Sequence, residues 1–165
     1  MQNSEFVVAD TSPLLNLSLI DRLDLLESQF SAITIPVQVW QELTDGEKGM
    51  DALYQLRDEE FLTVVEVEQS DLFVEILHEL DRGETAAICY AIAEDADLIL
   101  LDEKDGRQVA RRHGLDVTGV IGVLLRAAAT ENLKLKRELD ALRDAGFWIS
   151  DGLYSKILVS YYQES

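Results

Sequence analysis

Short apolar runs recur along this chain, separated by longer stretches with helical spacing. They are Phe6-Val7-Val8-Ala9, Ala32-Ile33-Thr34-Ile35, Leu62-Thr63-Val64-Val65-Glu66-Val67, Leu98-Ile99-Leu100-Leu101 and Leu115-Asp116-Val117-Thr118. Such alternation reads as parallel strands joined by helices, an α/β class. In an open parallel sheet, ligands bind outside the carboxyl ends of the strands. Acids stand at those ends: Asp10 follows the first run, Asp102 the fourth, and Glu42 lies on the segment after the second. With Glu84 and Asp105 they make five carboxylates that the fold would gather. Gathered carboxylates repel unless a cation or shared protons offset the charge. The simplest such cation is a hard divalent ion with oxygen ligands, Mg2+ or Mn2+. A metal-dependent enzyme acting on phosphate esters is the expectation.

The chain has 165 residues, the usual size of one domain, and 47% hydrophobic residues, enough for a substantial core. We read residues 1–165 as a single domain, with a core over about 5–130 and a helical extension over about 131–165. Charges interrupt every apolar run before it could span a membrane. Met1-Gln2-Asn3-Ser4-Glu5 lacks the basic and apolar regions of a secretory signal. One cysteine, Cys89, rules out an internal disulfide and suits a reducing cytoplasm; its apolar neighbours make it a small core residue.

The formal net charge is −18, from 32 acids against 14 bases, which weighs against a nucleic-acid substrate. The bases are unevenly spread: Arg22, Lys48, Arg57 and Arg82 precede residue 100 and ten follow it. Lys104, Arg107, Arg111, Arg112 and His113 crowd behind Asp102 and Asp105. A local basic patch can hold a polyanion on an acidic protein, and the acidic remainder suits a basic partner or solubility.

Strands are expected at 5–9, 32–35, 62–67, 98–101 and 115–118. Ser12 and Pro13 suggest a cap and first turn for a helix over 13–20. Further helices are expected from Pro36, then at 50–58, 70–80, 84–94, 105–113 and 119–129, with Thr44 to Gly49 as a loop. Helices at 134–145 and 151–162, around Gly146, form a C-terminal helical hairpin.

Each acid has a bland alternative. Asp10-Thr11-Ser12 is also an ordinary strand-to-helix turn. Asp81-x-x-Glu84 has the spacing of a capping box with Asp for the usual Ser or Thr, and a cap and a ligand can coexist there. Glu42 reads as a surface residue on an amphipathic helix. Asp102-Glu103-Lys104-Asp105 resists a purely structural reading, because the helix dipole accounts for one carboxylate and not a cluster. No GxxxxGK[ST] or GxGxxG loop occurs. His78, His113 and one cysteine do not make a zinc site of the usual kind. Asp10 has no acid two residues on, which disfavours an aspartyl-phosphate intermediate.

Taken in order, Val7-Val8-Ala9-Asp10-Thr11-Ser12-Pro13-Leu14, Ile35-Pro36-Val37 with Glu42, Leu80-Asp81-Arg82-Gly83-Glu84-Thr85-Ala86-Ala87-Ile88, and Leu98 through Arg107 resemble the PIN-domain family of metal-dependent nucleases. The chain looks most like the small prokaryotic branch that includes VapC-type toxins, and the resemblance covers roughly residues 5–130. It implies a parallel sheet of about five strands with helices on both faces, one or two Mg2+ or Mn2+ ions, and hydrolysis of RNA. By position, Asp10, Glu84 and Asp102 match the family's metal-binding acids, Asp105 a fourth, and Glu42 the acid on the helix after strand two. Ser12 stands to position water or phosphate, and Arg107, Arg111 and Arg112 to grip the RNA strand. Three departures stand out. Glu84 replaces the commoner Asp, Leu101 replaces a frequent Thr, and the helical tail with Gly146-Phe147-Trp148-Ile149-Ser150 belongs to a sub-branch.

Two readings of different class follow. One is a ribonuclease, a candidate toxin held inactive by a basic antitoxin protein. The other is a catalytically weak module that binds protein or forms a homodimer, for which the region of Trp148 and Tyr154 offers either a dimer surface or cover for the sheet. A small-phosphate hydrolase ranks last, for want of a nucleophile motif.

Overall fold

The computed structural model describes residues 5–46 and 50–164, with side chains to Tyr162. The expected N-terminal segment up to Ser4 and the loop residues Glu47, Lys48 and Gly49 lie outside the described residues. The strands are β1 (Val7–Ala9), β2 (Ile33–Pro36), β3 (Leu62–Val65), β4 (Leu98–Leu100) and β5 (Val117–Thr118). The helices are α1 (Thr11–Leu19), α2 (Asp24–Gln29), α3 (Val37–Asp45), α4 (Met50–Asp58), α5 (Asp71–Leu77), α6 (Arg82–Ala93), α7 (Lys104–Arg112), α8 (Val120–Thr130), α9 (Leu135–Asp144) and α10 (Asp151–Glu164).

The strands form one parallel sheet in the order β3-β2-β1-β4-β5. Alternating side chains feed two apolar layers. Val7 and Ala9 of β1 and Leu98 and Leu100 of β4 face one layer, and Val8 and Ile99 face the other. The first layer is completed by Leu14, Leu17, Leu25, Leu124, Leu135 and Leu139, the second by Phe73, Ile76, Ile88 and Val109. Cover on both faces explains why the central strands β1 and β4 read as continuous apolar runs with no polar alternation. Cys89 lies in the second layer, and burial pushes its thiol up to about 11.

Apart from β2, which is shifted one residue onward and ends at Pro36, where a helix was expected to open, the strands are shorter than their apolar runs. Phe6, Val67 and Leu115 pack against the second layer without belonging to strands, because hydrophobicity continues past the last ladder bond. Thr44 and Asp45, expected in a loop, form the last turn of α3. The cap of α1 is Asp10, and Ser12 sits inside the helix accepting a bond from Asn16 Nδ2 at 3.1 Å. The chain steps from β1 to β2 to β3 on one side, then crosses to β4 and β5 on the other. Strand order therefore reverses between β1 and β4, the place where open α/β sheets leave a crevice. Among the described residues, no helix is long and apolar enough to cross a membrane.

The C-terminal helices fold back on one another. Tyr154 Oη donates to Asp140 Oδ1 at 2.6 Å, and Arg143 donates to the Ile149 carbonyl at 2.8 Å while lying 4.1 Å over the Tyr154 ring. Tyr154 thus packs within the chain, whereas Trp148 is 82% exposed.

Candidate metal centre

The reversal point brings Asp10 and Asp102 together. Val7 pairs with Leu98 and Ala9 with Leu100, and the Asp10 amide donates to the Leu100 carbonyl at 2.9 Å, so Asp10 leaves β1 beside the end of β4. Asp10 occupies the capping position of α1, yet its side chain makes no capping bond. It is 3% exposed, and Oδ1 has no hydrogen-bond partner. Glu84 stands in the first turn of α6, 7% exposed, with Oε2 equally unpartnered. Asp102 Oδ1 accepts the Val120 amide at 2.9 Å, capping α8 from outside, while Oδ2 is buried without a well-formed bond. Three carboxylates with an orphaned oxygen each are costly to bury as anions.

Their protonation records that cost. Desolvation pushes Asp10 up to about 7, the Thr11 amide draws it back, and the charges of Asp81, Glu42 and Asp102 raise it further. Glu84 is pushed up to about 8 by desolvation, then by the charges of Asp81 and Asp10. Asp102 rises to about 6 through desolvation, against the opposing pull of the Val120 amide, the Arg107 charge and, most weakly, the Ser12 hydroxyl. Charges acting on one another in this way belong to groups that share a site.

Glu42 joins from α3. Its Oε2 accepts the Thr11 hydroxyl at 2.8 Å, and its Oε1 lies against Gly83, where any side-chain Cβ would collide with it. Glu84 Oε2 in turn lies 2.6 Å from where a Cβ on Gly106 would stand, so α7 begins against the Glu84 carboxyl. Asp105, one residue before Gly106, is exposed on the first turn of α7.

The bases do not all follow. Arg107 acts on Asp102, and its guanidinium approaches Gly119 at the start of α8. Arg112 pairs with Glu79 at 2.9 Å on the outer surface. Arg111 lines a cavity of about 510 Å³ with Glu5, Asp97, Asp116 and Arg126, at the amino ends of β4 and β5. A helix advances about 1.5 Å per residue, so only the first turn of α7 stays at the carboxylates. Of the bases expected directly behind Asp102 and Asp105, Arg107 lies near the carboxylates, whereas Arg111 lies at the amino ends of β4 and β5 and Arg112 on the outer surface.

Sequence reasoning overlooked Asp81 and Thr11. Asp81 caps α6 through Oδ1 to the Glu84 amide at 2.8 Å, as its spacing suggests, and its charge also reaches Asp10 and Glu84. The capping box accounted for Asp81 so completely that its second effect left no separate signal. Thr11 looked like an ordinary turn residue because its partner lies 31 positions away.

Among the described residues, no three His, Cys, Asp or Glu side chains stand as a ready-made metal cage. The donor chemistry nevertheless fits a hard divalent cation. Asp10 Oδ1, Glu84 Oε2 and Asp102 Oδ2 are buried oxygens without hydrogen-bond partners, the hard donors that such an ion takes.

A family model described as PIN domain matches residues 6–163. Among solved structures, the chain is similar to a PilT N-terminus domain protein from the hyperthermophilic archaeon Sulfolobus solfataricus P2. The TM-score is 0.56 at 19% identity, covering 78% of this chain and 97% of that one, a likeness of fold. No curated protein matches the chain.

Proposed function

The chain belongs to the PIN-domain family, a nuclease-type fold, and from that premise we propose that it is a ribonuclease that hydrolyses RNA phosphodiester bonds with Mg2+ or Mn2+. The observation that carries the reading is the set of unpartnered buried oxygens on Asp10, Glu84 and Asp102 at the reversal point of the sheet. These three would hold the ion, with Asp105 reaching in from the rim. When bound, a divalent ion neutralises charge on the scissile phosphate and makes a nearby water more acidic.

The chain's own groups supply the rest. The Thr11 hydroxyl holds Glu42 at the edge of the pocket. Ser12 sits beside Asp102, where it can orient water or a phosphate oxygen, and Arg107 offers a guanidinium whose charge reaches Asp102. The test is cleavage of a labelled single-stranded RNA with Mn2+ by wild type, Asp10→Asn and Glu84→Gln. Cleavage by wild type alone, abolished by chelator, supports the reading; equal cleavage by all three removes it.

The same proposal takes residues 1–165 as one domain in the VapC-type branch, working in the cytoplasm, with a basic antitoxin as a candidate partner. One observation favours a second reading, a catalytically weak module that binds protein or forms a homodimer. Trp148, 82% exposed, is the kind of residue that anchors interfaces. A protein that is monomeric by light scattering and cleaves RNA would remove it.

A further inference from the structure

The helices α5 and α6 carry side-chain caps of different kinds. Ser70 caps α5 through its hydroxyl, which accepts the Phe73 amide at 3.2 Å without adding charge. Asp81 caps α6 through Oδ1, which accepts the Glu84 amide at 2.8 Å. A serine would satisfy that amide equally well. The aspartate adds something that capping does not need. It places an exposed carboxylate within hydrogen-bonding reach of the Glu84 side chain and close enough to act on Asp10, two carboxylates already buried with unpartnered oxygens. In the metal-free protein this extra charge is a liability, because like charges in a partly desolvated site repel. It becomes favourable only when a cation enters.

We infer that Asp81 is a positioning residue of the cation pocket: Oδ1 holds the first turn of α6, and with it Glu84, while its charge at the mouth helps draw in a divalent ion. The inference rests on the reading that Asp10, Glu84 and Asp102 hold that ion. It extends the pocket to the outer end of α6, so that one residue sets both the backbone position of Glu84 and the field that the arriving cation meets. Groups that orient and polarise ligands from outside the first coordination shell strongly affect metal affinity.

Two neutral capping residues separate the roles. Asp81→Asn and Asp81→Ser both keep an oxygen for the Glu84 amide and both remove the charge. Calorimetric titration with Mn2+ at about pH 8 compares them with wild type, with melting temperatures of the metal-free proteins recorded alongside. The expected result is Mn2+ affinity weaker by roughly tenfold in both variants, with melting temperatures no lower than wild type. Asp81→Ala, which loses the cap as well, melts lower. Wild-type affinity retained in both Asn and Ser variants overturns the inference and leaves Asp81 a helix cap, while the cation reading stands. Wild-type protein that binds no Mn2+ overturns that reading and this inference together.

Discussion

The Thr11 hydroxyl donates to Glu42 Oε2 at 2.8 Å, tying the residue after Asp10 to the helix that follows β2. The bond lies near the surface, where one hydrogen bond contributes about 1 kcal/mol or less. Its consequence for the site is larger, because Glu42 also lies against Gly83, immediately before Glu84. Thr11→Val should lower stability by about 1 kcal/mol while reducing RNA cleavage by roughly tenfold or more. Thermal melts and cleavage rates check both, and a variant that loses stability but keeps full activity would show that Glu42 needs no such support.

The raised carboxyls make a pH prediction of definite sign. A carboxyl whose pKa is higher in the folded state keeps its proton there after the unfolded chain has lost it. Stability is then greatest below the unfolded value and falls as pH climbs to the folded one. The ordinary values are 3.8 for Asp10 and Asp102 and 4.5 for Glu84, and the folded values are about 7, 6 and 8. In chelator, the wild-type melting temperature should therefore fall between about pH 4 and pH 8. Asp10→Asn should flatten that fall and melt above wild type at its alkaline end. An Asp10→Asn curve parallel to wild type would contradict the burial of this charge.

Metal uptake should release protons for the same reason. Near neutral pH, Asp10 and Glu84 carry protons that a cation must displace. Mn2+ titrations in two buffers of different ionisation enthalpy should give different observed heats, and affinity should rise towards about pH 8. Heats independent of buffer would mean that the ion binds elsewhere.

Gly106 offers a steric test. A Cβ there would stand 2.6 Å from Glu84 Oε2, a contact that side chains do not tolerate. Alanine favours a helix over glycine by about 0.5–1 kcal/mol, which offsets part of the clash. Gly106→Ala should therefore change the melting temperature little while displacing Glu84 and weakening Mn2+ binding by roughly tenfold or more. Unchanged binding would place Glu84 outside the metal centre.

Arg143 should matter for stability alone. It donates to the Ile149 carbonyl at 2.8 Å and to Asp151 Oδ1 at 3.2 Å, and stacks over Tyr154. Arg143→Ala should cost about 1–3 kcal/mol by removing hydrogen bonds to a charged donor, without altering Mn2+ affinity. An effect on affinity would tie the C-terminal helices to the metal centre.

Much of the fold was legible because period and composition agree. Parallel strands buried on both faces leave apolar runs such as Leu98 to Leu101, and turn chemistry marks their ends. Strand limits were less legible, since Phe6, Val67 and Leu115 serve the core from beyond the ladder. At the site, Asp10 and Asp102 could be anticipated from strand ends alone. Arg111 and Arg112 could not be placed, because proximity along a helix fades within one turn whereas the sequence keeps them adjacent to Arg107. Thr11 with Glu42 and the second effect of Asp81 depend on contacts between α1, α3 and α6, which no local pattern encodes.

The central claim is that the carboxylates at the β1–β4 reversal point hold a divalent cation. The most direct measurement is a calorimetric Mn2+ titration of wild type beside Asp10→Asn at about pH 8, where the folded carboxyls have begun to ionise. Wild type should bind saturably, and Asp10→Asn should lose that binding. Identical heats from the two proteins, or none from either, would contradict the claim.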